Sequence, residues 1–178
     1  MLKRTFVLIA VFAGLVSCGD SSTGPTPPPD PPPPPPSQAQ KNIVLVPSTV
    51  LATPSGDPTL PWVASITVRI NETAGLGANI NFINFDTEGI PTINFGASDI
   101  VATSGSNSVP ANGSLDAMIP VIFSVTGLPA LVPFTVTVNC TDANGNRSDL
   151  TADGFISVLG GGGTNSTRIL EMRRGPGF

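Results

Sequence analysis

The sequence predicts an all-β fold, a single antiparallel β-sandwich of about seven or eight short strands. Three observations support this prediction. Apolar and polar residues alternate along several segments, no segment repeats its apolar residues at helical spacing, and glycine, proline, asparagine and aspartate separate the segments. The predicted domain covers residues 41–159. A chain of about 118 residues is long enough to bury one hydrophobic core.

The first half of this domain contains three predicted strands: an edge strand, a regular strand and an irregular one. Residues 43–46 predict an edge strand that stops at Pro47, because proline cannot donate a hydrogen bond to a ladder. Every second residue along 62–70 is apolar, which predicts a half-buried strand. In residues 78–86 the apolar positions change phase after Phe82. Such a change predicts a β-bulge or burial on both faces.

The second half predicts five more strands and no helix. Residues 92–95 and 99–102 are short candidates, and the polar stretch 103–114 predicts a loop. Residues 115–125 predict a strand in which Pro120 marks an edge or a bulge. The clearest strand places four apolar residues on one face: Phe134, Val136, Val138 and Cys140. The last predicted strand covers residues 150–159.

The end of the domain carries a family resemblance. The segment Phe134-Thr-Val-Thr-Val-Asn-Cys-Thr-Asp-Ala-Asn-Gly-Asn146, followed by Phe155-Ile-Ser-Val158, is similar to the closing strands of bacterial immunoglobulin-like and fibronectin-type-III-like domains. The resemblance implies a penultimate strand, a tight turn and a final strand, and therefore an Ig-like sandwich. Such domains serve as spacers, adhesins, sugar-binding modules and assembly subunits, so the fold alone hardly narrows the function.

The N-terminus predicts export and lipid anchoring. Lys3 and Arg4 precede an apolar stretch, residues 6–16, which as a helix would span roughly 16 Å of a hydrocarbon core of ~30 Å. An export signal therefore explains it better than a transmembrane helix. The stretch ends in Leu15-Val16-Ser17-Cys18, which resembles the bacterial lipoprotein signal. The resemblance implies that residues 1–17 are removed and that Cys18 is lipidated with acyl chains such as palmitate. An ordinary secretory signal is the alternative.

The resemblance also implies a location in the cell envelope. In enterobacterial lipoproteins an aspartate directly after the lipidated cysteine favours retention in the inner membrane. Here that position is Gly19 and the aspartate is Asp20, so the outer membrane is favoured. Residues 18–40 predict a disordered, proline-rich spacer. The twelve residues 25–36 as polyproline II span roughly 37 Å. A docking motif for an SH3-type groove is the alternative reading of the prolines.

Composition excludes several functions. The chain has no histidine, which removes a Ser-His-Asp triad, a Cys-His dyad and a histidine-ligated zinc site. Between residues 42 and 159 there are nine acidic residues and two basic ones, so no basic surface for nucleic acid is predicted. Two carboxylate pairs, Asp86 with Glu88 and Asp149 with Asp153, could in principle support glycoside hydrolysis. Solvated carboxylates beside turns explain them better, and no enzyme activity and no cofactor are expected.

One turn is a weak calcium candidate. Asp142, Asn144 and Asn146 have the alternate spacing of calcium loops, and Asp149 could add an oxygen ligand. The same residues also form a favourable hairpin turn around Asn-Gly. Cys140 shares its face with apolar residues, which predicts a buried thiol without a metal or nucleophilic role.

These features predict a lipid-anchored envelope protein that displays a non-catalytic domain for structural or protein-recognition roles. The alternative is a carbohydrate- or small-ligand-binding accessory module, with Trp62 and the loops 71–77 and 103–114 as its surface. Trp62 shares parity with the core, which favours burial. The expected partners are the membrane, through Cys18, and an envelope protein or a glycan. Residues 160–178 predict a glycine-rich flexible tail with a basic segment near its end.

Overall fold

The fold is mostly β, as a computed structural model describes it for residues 29–126, 130–159 and 168–175. The chain forms two compact units, residues 1–34 and 35–178. In the first unit the described residues, 29–34, are exposed and have no regular secondary structure. The second unit contains every described strand and helix.

The second unit has two sheets. The first sheet has the order β1-β4-β8-β11, with β3 pairing β4: β1 Lys41–Leu45, β3 Thr53–Pro54, β4 Trp62–Glu72, β8 Ser114–Thr126 and β11 Arg168–Arg174. The second sheet has the order β2-β10-β9-β5-β6, with β7 pairing β5: β2 Thr49–Leu51, β5 Ala78–Asp86, β6 Ile93–Gly96, β7 Ser108–Val109, β9 Ala130–Asp142 and β10 Arg147–Val158. Every pair is antiparallel except β2 with β10, which is parallel.

One hydrophobic core contains residues from both sheets. The alternation predicted for β4 and β9 is confirmed, since the inward positions of both strands are buried: Ala64, Ile66, Val68, Ile70, Phe134, Val136, Val138 and Cys140. The predicted bulge in β5 is confirmed as well. The register of β5 against β9 shifts between Ile80 and Phe82, so that Ile80, Ile83 and Phe85 all reach the core.

The strand count and the absence of a helix were wrong. Among the described residues there are eleven strands and one helix, α1 Ala97–Ser104. The extra strands β2, β3 and β7 have two or three residues, too few to show alternation in sequence. The predicted strand 99–102 lies in α1, and the predicted loop 103–114 contains the end of α1 and β7.

Local hydrogen bonds explain why α1 forms despite its β-branched residues. The Gly96 N–H donates to Asp99 Oδ2 at 2.8 Å, which satisfies a free donor at the helix start. Gly105 ends the helix in the left-handed region, and its N–H bonds to Val101 O. Ile100 anchors the helix in the core.

The predicted flexible tail was wrong for residues 168–174, which form β11 on the edge of β8. Seven residues in isolation would be marginal, and burial of Ile169 and Met172 in the core stabilises them as a strand. Residues 160–167 and 176–178 of the predicted tail, and the predicted turn 127–129, lie outside the described part of the chain.

Candidate functional site

The two ends of the sheets carry different side chains and contacts. We call the end that contains residues 37–40 the linker end, and the opposite end the distal end. Asp142, the last residue of β9, lies at the linker end, while Leu131 lies at the distal end of the same strand. Eleven residue steps separate them, about 36 Å along a strand.

At the linker end, the Asp142 carboxylate binds the chain that precedes β1. Its Oδ2 accepts the Ala39 N–H at 3.0 Å, and its Oδ1 accepts the N–H groups of Asn144 and Asn146 at 3.0 and 2.9 Å. Asp142 is only 4 % exposed. The Ala39 hydrogen bond, followed by those from Asn146 and Asn144, lowers the pKa of Asp142 to about 2, although burial acts in the opposite direction.

Further hydrogen bonds fix the same segment to both sheets. The side-chain amides of Asn144 and Asn146 donate to Ser37 O at 3.2 and 3.1 Å. On the first sheet, the Thr73 N–H donates to Gln40 O at 3.0 Å. Residues 37–40 are therefore part of the folded unit rather than of the predicted disordered spacer 18–40. We call this group of contacts the linker clamp.

The clamp uses the residues of the weak calcium candidate. The structure brings Asp142, Asn144 and Asn146 together, but the Asp142 oxygens accept N–H groups and the two amides donate to Ser37. Asp149 instead accepts the Asn139 amide at 2.6 Å. Among the described residues, no three or more His, Cys, Asp or Glu side chains are grouped to hold a metal ion. The calcium hypothesis therefore stays a prediction.

A second buried carboxylate at the linker end was missed by the sequence analysis. Glu72 is 1 % exposed and accepts N–H groups from two loops: Ala74 at 2.7 Å, Gly75 at 3.0 Å and Asn112 at 2.8 Å. Burial alone would raise the pKa of Glu72, but these donors outweigh it and hold the pKa below its ordinary value. The sequence feature that could have identified Glu72 is its position as an acidic residue directly before the turn that contains Gly75 and Gly77.

The alternative ligand surface lies largely at this end. Trp62 is half-buried and packs against the core, in line with its parity. Loop 71–77 and the segment that follows β7 meet at Glu72 and border a cavity of about 270 Å³. The residues that line this cavity include no aromatic side chain: Leu76, Gly77, Ala78, Asn79, Ser108, Val109, Pro110, Ala111 and Ala143.

Toward the distal end, the outer face of the second sheet carries an acidic cleft of about 320 Å³. Its lining residues contain three carboxylates and no basic side chain: Asp86, Thr87, Glu88, Pro133, Phe134, Thr135, Asp153, Gly154 and Phe155. The structure thus brings Asp86, Glu88 and Asp153 to one cleft and leaves Asp149 outside it. Two of these carboxylates accept threonine hydroxyls, Asp153 from Thr135 at 2.7 Å and Asp86 from Thr92.

Exposed apolar side chains lie beside this cleft. Leu51, Leu131 and Phe155 are 53 %, 57 % and 43 % exposed. The ladders bring them to one face of three adjacent strands, because Leu51 and Leu131 flank Ser157 on either side and Phe155 pairs with Pro133. We call Leu51, Leu131, Pro133 and Phe155 the distal patch. Exposed apolar side chains grouped on one face mark contact surfaces more often than scattered ones do.

Cys140 has the buried position expected from its parity. It is a free thiol with 0 % exposure in the core, and burial raises its pKa to about 11. Lys41 acts in the opposite direction but does not outweigh burial. A thiol with so high a pKa is a poor nucleophile at neutral pH.

The predicted signal, residues 1–17, the lipidation residue Cys18 and the start of the spacer lie outside the described residues. In the part of the chain that the structure does describe, no helix has the length and apolar character to cross a membrane.

Comparisons with known proteins give little. No protein-family model matches the chain, and no curated protein matches it. Among solved structures, it is similar to a crystal structure from Bordetella pertussis described as the "Putative ApaA Protein", at 18 % identity and a TM-score of 0.49. The alignment covers 68 % of this chain and 94 % of the other. A similarity of this degree carries no conclusion about fold or function.

Proposed function

We propose that this protein is a lipid-anchored cell-envelope protein that presents a non-catalytic, Ig-like sandwich to a protein partner. The proposed anchor is Cys18, the proposed location is the outer membrane, and the proposed contact surface is the distal patch with its acidic cleft. The observation that carries the recognition role is the exposure of Leu51, Leu131 and Phe155 on one face of three adjacent strands, at the end of the sheets opposite the linker clamp.

The strand order supports the Ig-like assignment. In immunoglobulin domains one sheet has the order A-B-E-D and the other has G-F-C, with C′ added in variable types. Here β1, β4 and β8 take the places of A, B and E, and β10, β9, β5 and β6 take those of G, F, C and C′. The chain visits these strands in the same alphabetical order. The place of D is taken by β11, which comes last in the chain.

The position of the distal patch supports a recognition role. The chain enters the folded unit at the linker end, so the patch lies on the side away from that attachment. The adjacent carboxylates, Asp86, Glu88 and Asp153, would favour a partner with basic residues beside its apolar contact.

Replacement of Cys18 by alanine tests the anchor. We expect the variant to leave the membrane fraction or to keep its signal uncleaved, and to lose incorporation of labelled palmitate. One acyl chain binds membranes only marginally, so stable anchoring needs the complete modification. Unchanged fractionation and labelling would refute the anchor.

Site-specific photo-crosslinking in intact cells tests the partner surface. A photoreactive phenylalanine analogue at Leu131 or Phe155 should give a crosslinked protein band. The matched control places it at Val44, which is 47 % exposed on the first sheet. No band from either patch position, or the same bands from position 44, would contradict recognition through the distal patch.

A carbohydrate ligand is the second candidate, and one observation favours it. The acidic cleft combines three carboxylates with Thr87 and Thr135, groups that can bind sugar hydroxyls, beside the exposed ring of Phe155. A glycan array would separate the two candidates. Specific glycan binding that is lost on Phe155→Ala would favour the ligand module.

A further inference from the structure

We propose that the edge of β8 is a strand acceptor, and that β11 of a second copy of this chain can occupy it in exchange for the copy's own β11. The proposal extends the proposed display function and rests on its Ig-like topology. It concerns β8, α1 and β11 rather than the distal patch, so the two can fail separately.

The acceptor edge is organised by residues other than those of β11. Ten register pairs with β4 hold β8 in place, from Trp62 with Phe123 to Asn71 with Ser114. Beyond the end of β11, α1 covers the same edge. Thr103 Oγ1 donates to Met118 O at 2.8 Å, and Met118 N donates to Ser104 Oγ at 3.0 Å. The open part of the edge is therefore limited to the residues that β11 pairs with.

Pro120 marks the boundary between these two parts. The Gly175 N–H donates to Pro120 O at 2.8 Å, so the missing N–H of Pro120 faces the side of β8 where β11 ends. A Cβ on Gly175 would lie 2.7 Å from Pro120 Cβ, which makes glycine the residue that fits here. The edge predicted at Pro120 was wrong for the strand as a whole, because β8 lies between β4 and β11, and Pro120 stands where the pairing with β11 ends.

The occupant must carry the sequence of β11. Ile169 and Met172 enter the core at 6 % and 7 % exposure, and a register shift between Ile169 and Glu171 leaves Leu170 60 % exposed. Arg174 Nη1 binds Asp99 Oδ2 at 2.8 Å, and Arg174 Cζ lies 5.6 Å from the centre of the Phe95 ring. These contacts recognise two apolar residues, an arginine and a glycine at fixed spacing. A second copy supplies this combination.

The connection between β10 and β11 is long enough in sequence to allow β11 to pair with its own chain or with a second copy. It is the last strand, and residues 159–167, with Gly160 to Gly163 among them, join it to β10. Nine extended residues can span about 30 Å. The strand is basic and the remainder of the domain is acidic, so both pairings are favoured by charge. Anchored copies at high local concentration would favour exchange by mass action.

Paired cysteines distinguish pairing within a chain from exchange. Ile122 is the register partner of both Arg173 on β11 and Val63 on β4. The test variant carries Ile122→Cys with Arg173→Cys, and the matched control carries Ile122→Cys with Val63→Cys. Both are expressed as the full chain, oxidised in intact cells and separated without reducing agent.

We expect covalent dimers from the test variant and only monomers from the control, because β4 and β8 belong to the same body. The unsubstituted chain gives the background from Cys18 and Cys140. Test chains that crosslink only within the monomer at all expression levels would overturn the proposal. If either variant misfolds, native mass spectrometry of the unsubstituted chain, purified in detergent and refolded at low and high concentration, decides. Dimers that increase with concentration support exchange, and monomers throughout refute it.

Discussion

At the residue scale, two buried carboxylates organise the linker end. Glu72 and Asp142 each accept hydrogen bonds from several loop N–H groups, much as a helix-capping side chain does. A buried donor without an acceptor costs free energy, so these residues link loops that would otherwise have no reason to meet.

Glu72→Ala should destabilise the protein. It removes the acceptor of three N–H groups, and the loss should be about 3 kcal/mol in the free energy of unfolding. Urea unfolding followed by tryptophan fluorescence measures it. Glu88→Ala, an exposed carboxylate on the loop after β5, is the control and should stay within about 0.5 kcal/mol. Equal effects of the two changes would contradict the role given to Glu72.

Acid should destabilise the protein through Asp142. The folded state holds its pKa at about 2, below the ordinary value of 3.8. The folded state therefore binds this proton less readily than the unfolded state does. The stabilisation is fully present above pH 3.8 and is lost as the pH falls toward 2.

The melting temperature measured from pH 5 to pH 2 tests this relation. We expect the melting temperature of Asp142→Asn to fall less between pH 4 and pH 2 than that of the unsubstituted protein. Asn94→Ala, which changes an exposed side chain that does not titrate, is the control and should leave the slope unchanged. Parallel pH profiles for Asp142→Asn and the unsubstituted chain would refute the assignment.

At the element scale, the packing of β10 requires a glycine at position 154, although the alternation of apolar and polar residues along β10 did not predict one. A Cβ on Gly154 would lie 2.6 Å from Phe134 Cζ, 2.7 Å from Leu45 Cδ1 and 2.9 Å from Ser48 O. The last atom belongs to the backbone that receives the Phe155 N–H at 2.9 Å. The glycine allows the β1–β2 connection to cross close over β10.

Gly154→Ala should therefore lower stability by about 2 kcal/mol, since the core must shift to admit one methyl group. Thermal unfolding measures the change. Thr151→Ala, exposed on the same strand, is the control and should be nearly neutral. A Gly154→Ala protein as stable as the control would show that the β1–β2 crossing can move freely.

The β9–β10 turn gives a prediction about calcium. Because Asp142 already accepts backbone N–H groups, an ion would have to displace them before binding. Millimolar calcium should leave the melting temperature unchanged, and a chelator should have no effect. A rise of several degrees that Asp142→Asn abolishes would instead establish the calcium loop.

The sequence predicted those elements whose signal is local. Alternation identified β4 and β9, and a phase change identified the bulge in β5. The helix α1 was missed because Ile100, Val101 and Thr103 favour strands, while its stabilising contacts to Met118 come from β8. The strand β11 was missed because its partner is 42 or more residues away and its core contacts involve only Ile169 and Met172.

The candidate site was predictable to a similar degree. The residues of the Asp142 turn were identified from their spacing, but their role was not, because Ser37 and Ala39 lie over a hundred residues away. The distal patch was missed because Leu131 and Phe155 are ordinary strand residues in sequence. Only the register between β9, β10 and β2 places them beside Leu51 on the outer face.

At the scale of the whole molecule, the linker clamp should protect the start of β1 from proteolysis. Lys41, the first residue of β1, is the first trypsin site after Arg4 and follows the clamped residues 37–40 directly. The clamp and the pairing of β1 with β4 should keep this bond closed to the protease.

Asn144→Ala combined with Asn146→Ala removes the donors to Ser37 and should speed cleavage after Lys41 by roughly tenfold. Mass spectrometry of the fragment that begins at Asn42 measures it. Asn94→Ala with Asn84→Ala, which breaks an amide pair on the second sheet, is the control. Equal rates in both variants would show that the clamp does not protect the junction.

The direction of β1 has a mechanical consequence for a displayed domain. β1 starts at the linker end and runs toward the distal end, antiparallel to β4. Tension between residues 37–40 and a partner held at the distal patch would pull β1 along its own axis. The five register pairs from Lys41 with Glu72 to Leu45 with Val68 would then carry the load together, in shear, instead of opening one after another. Pairs loaded together in shear resist separation under force better than pairs that open one after another.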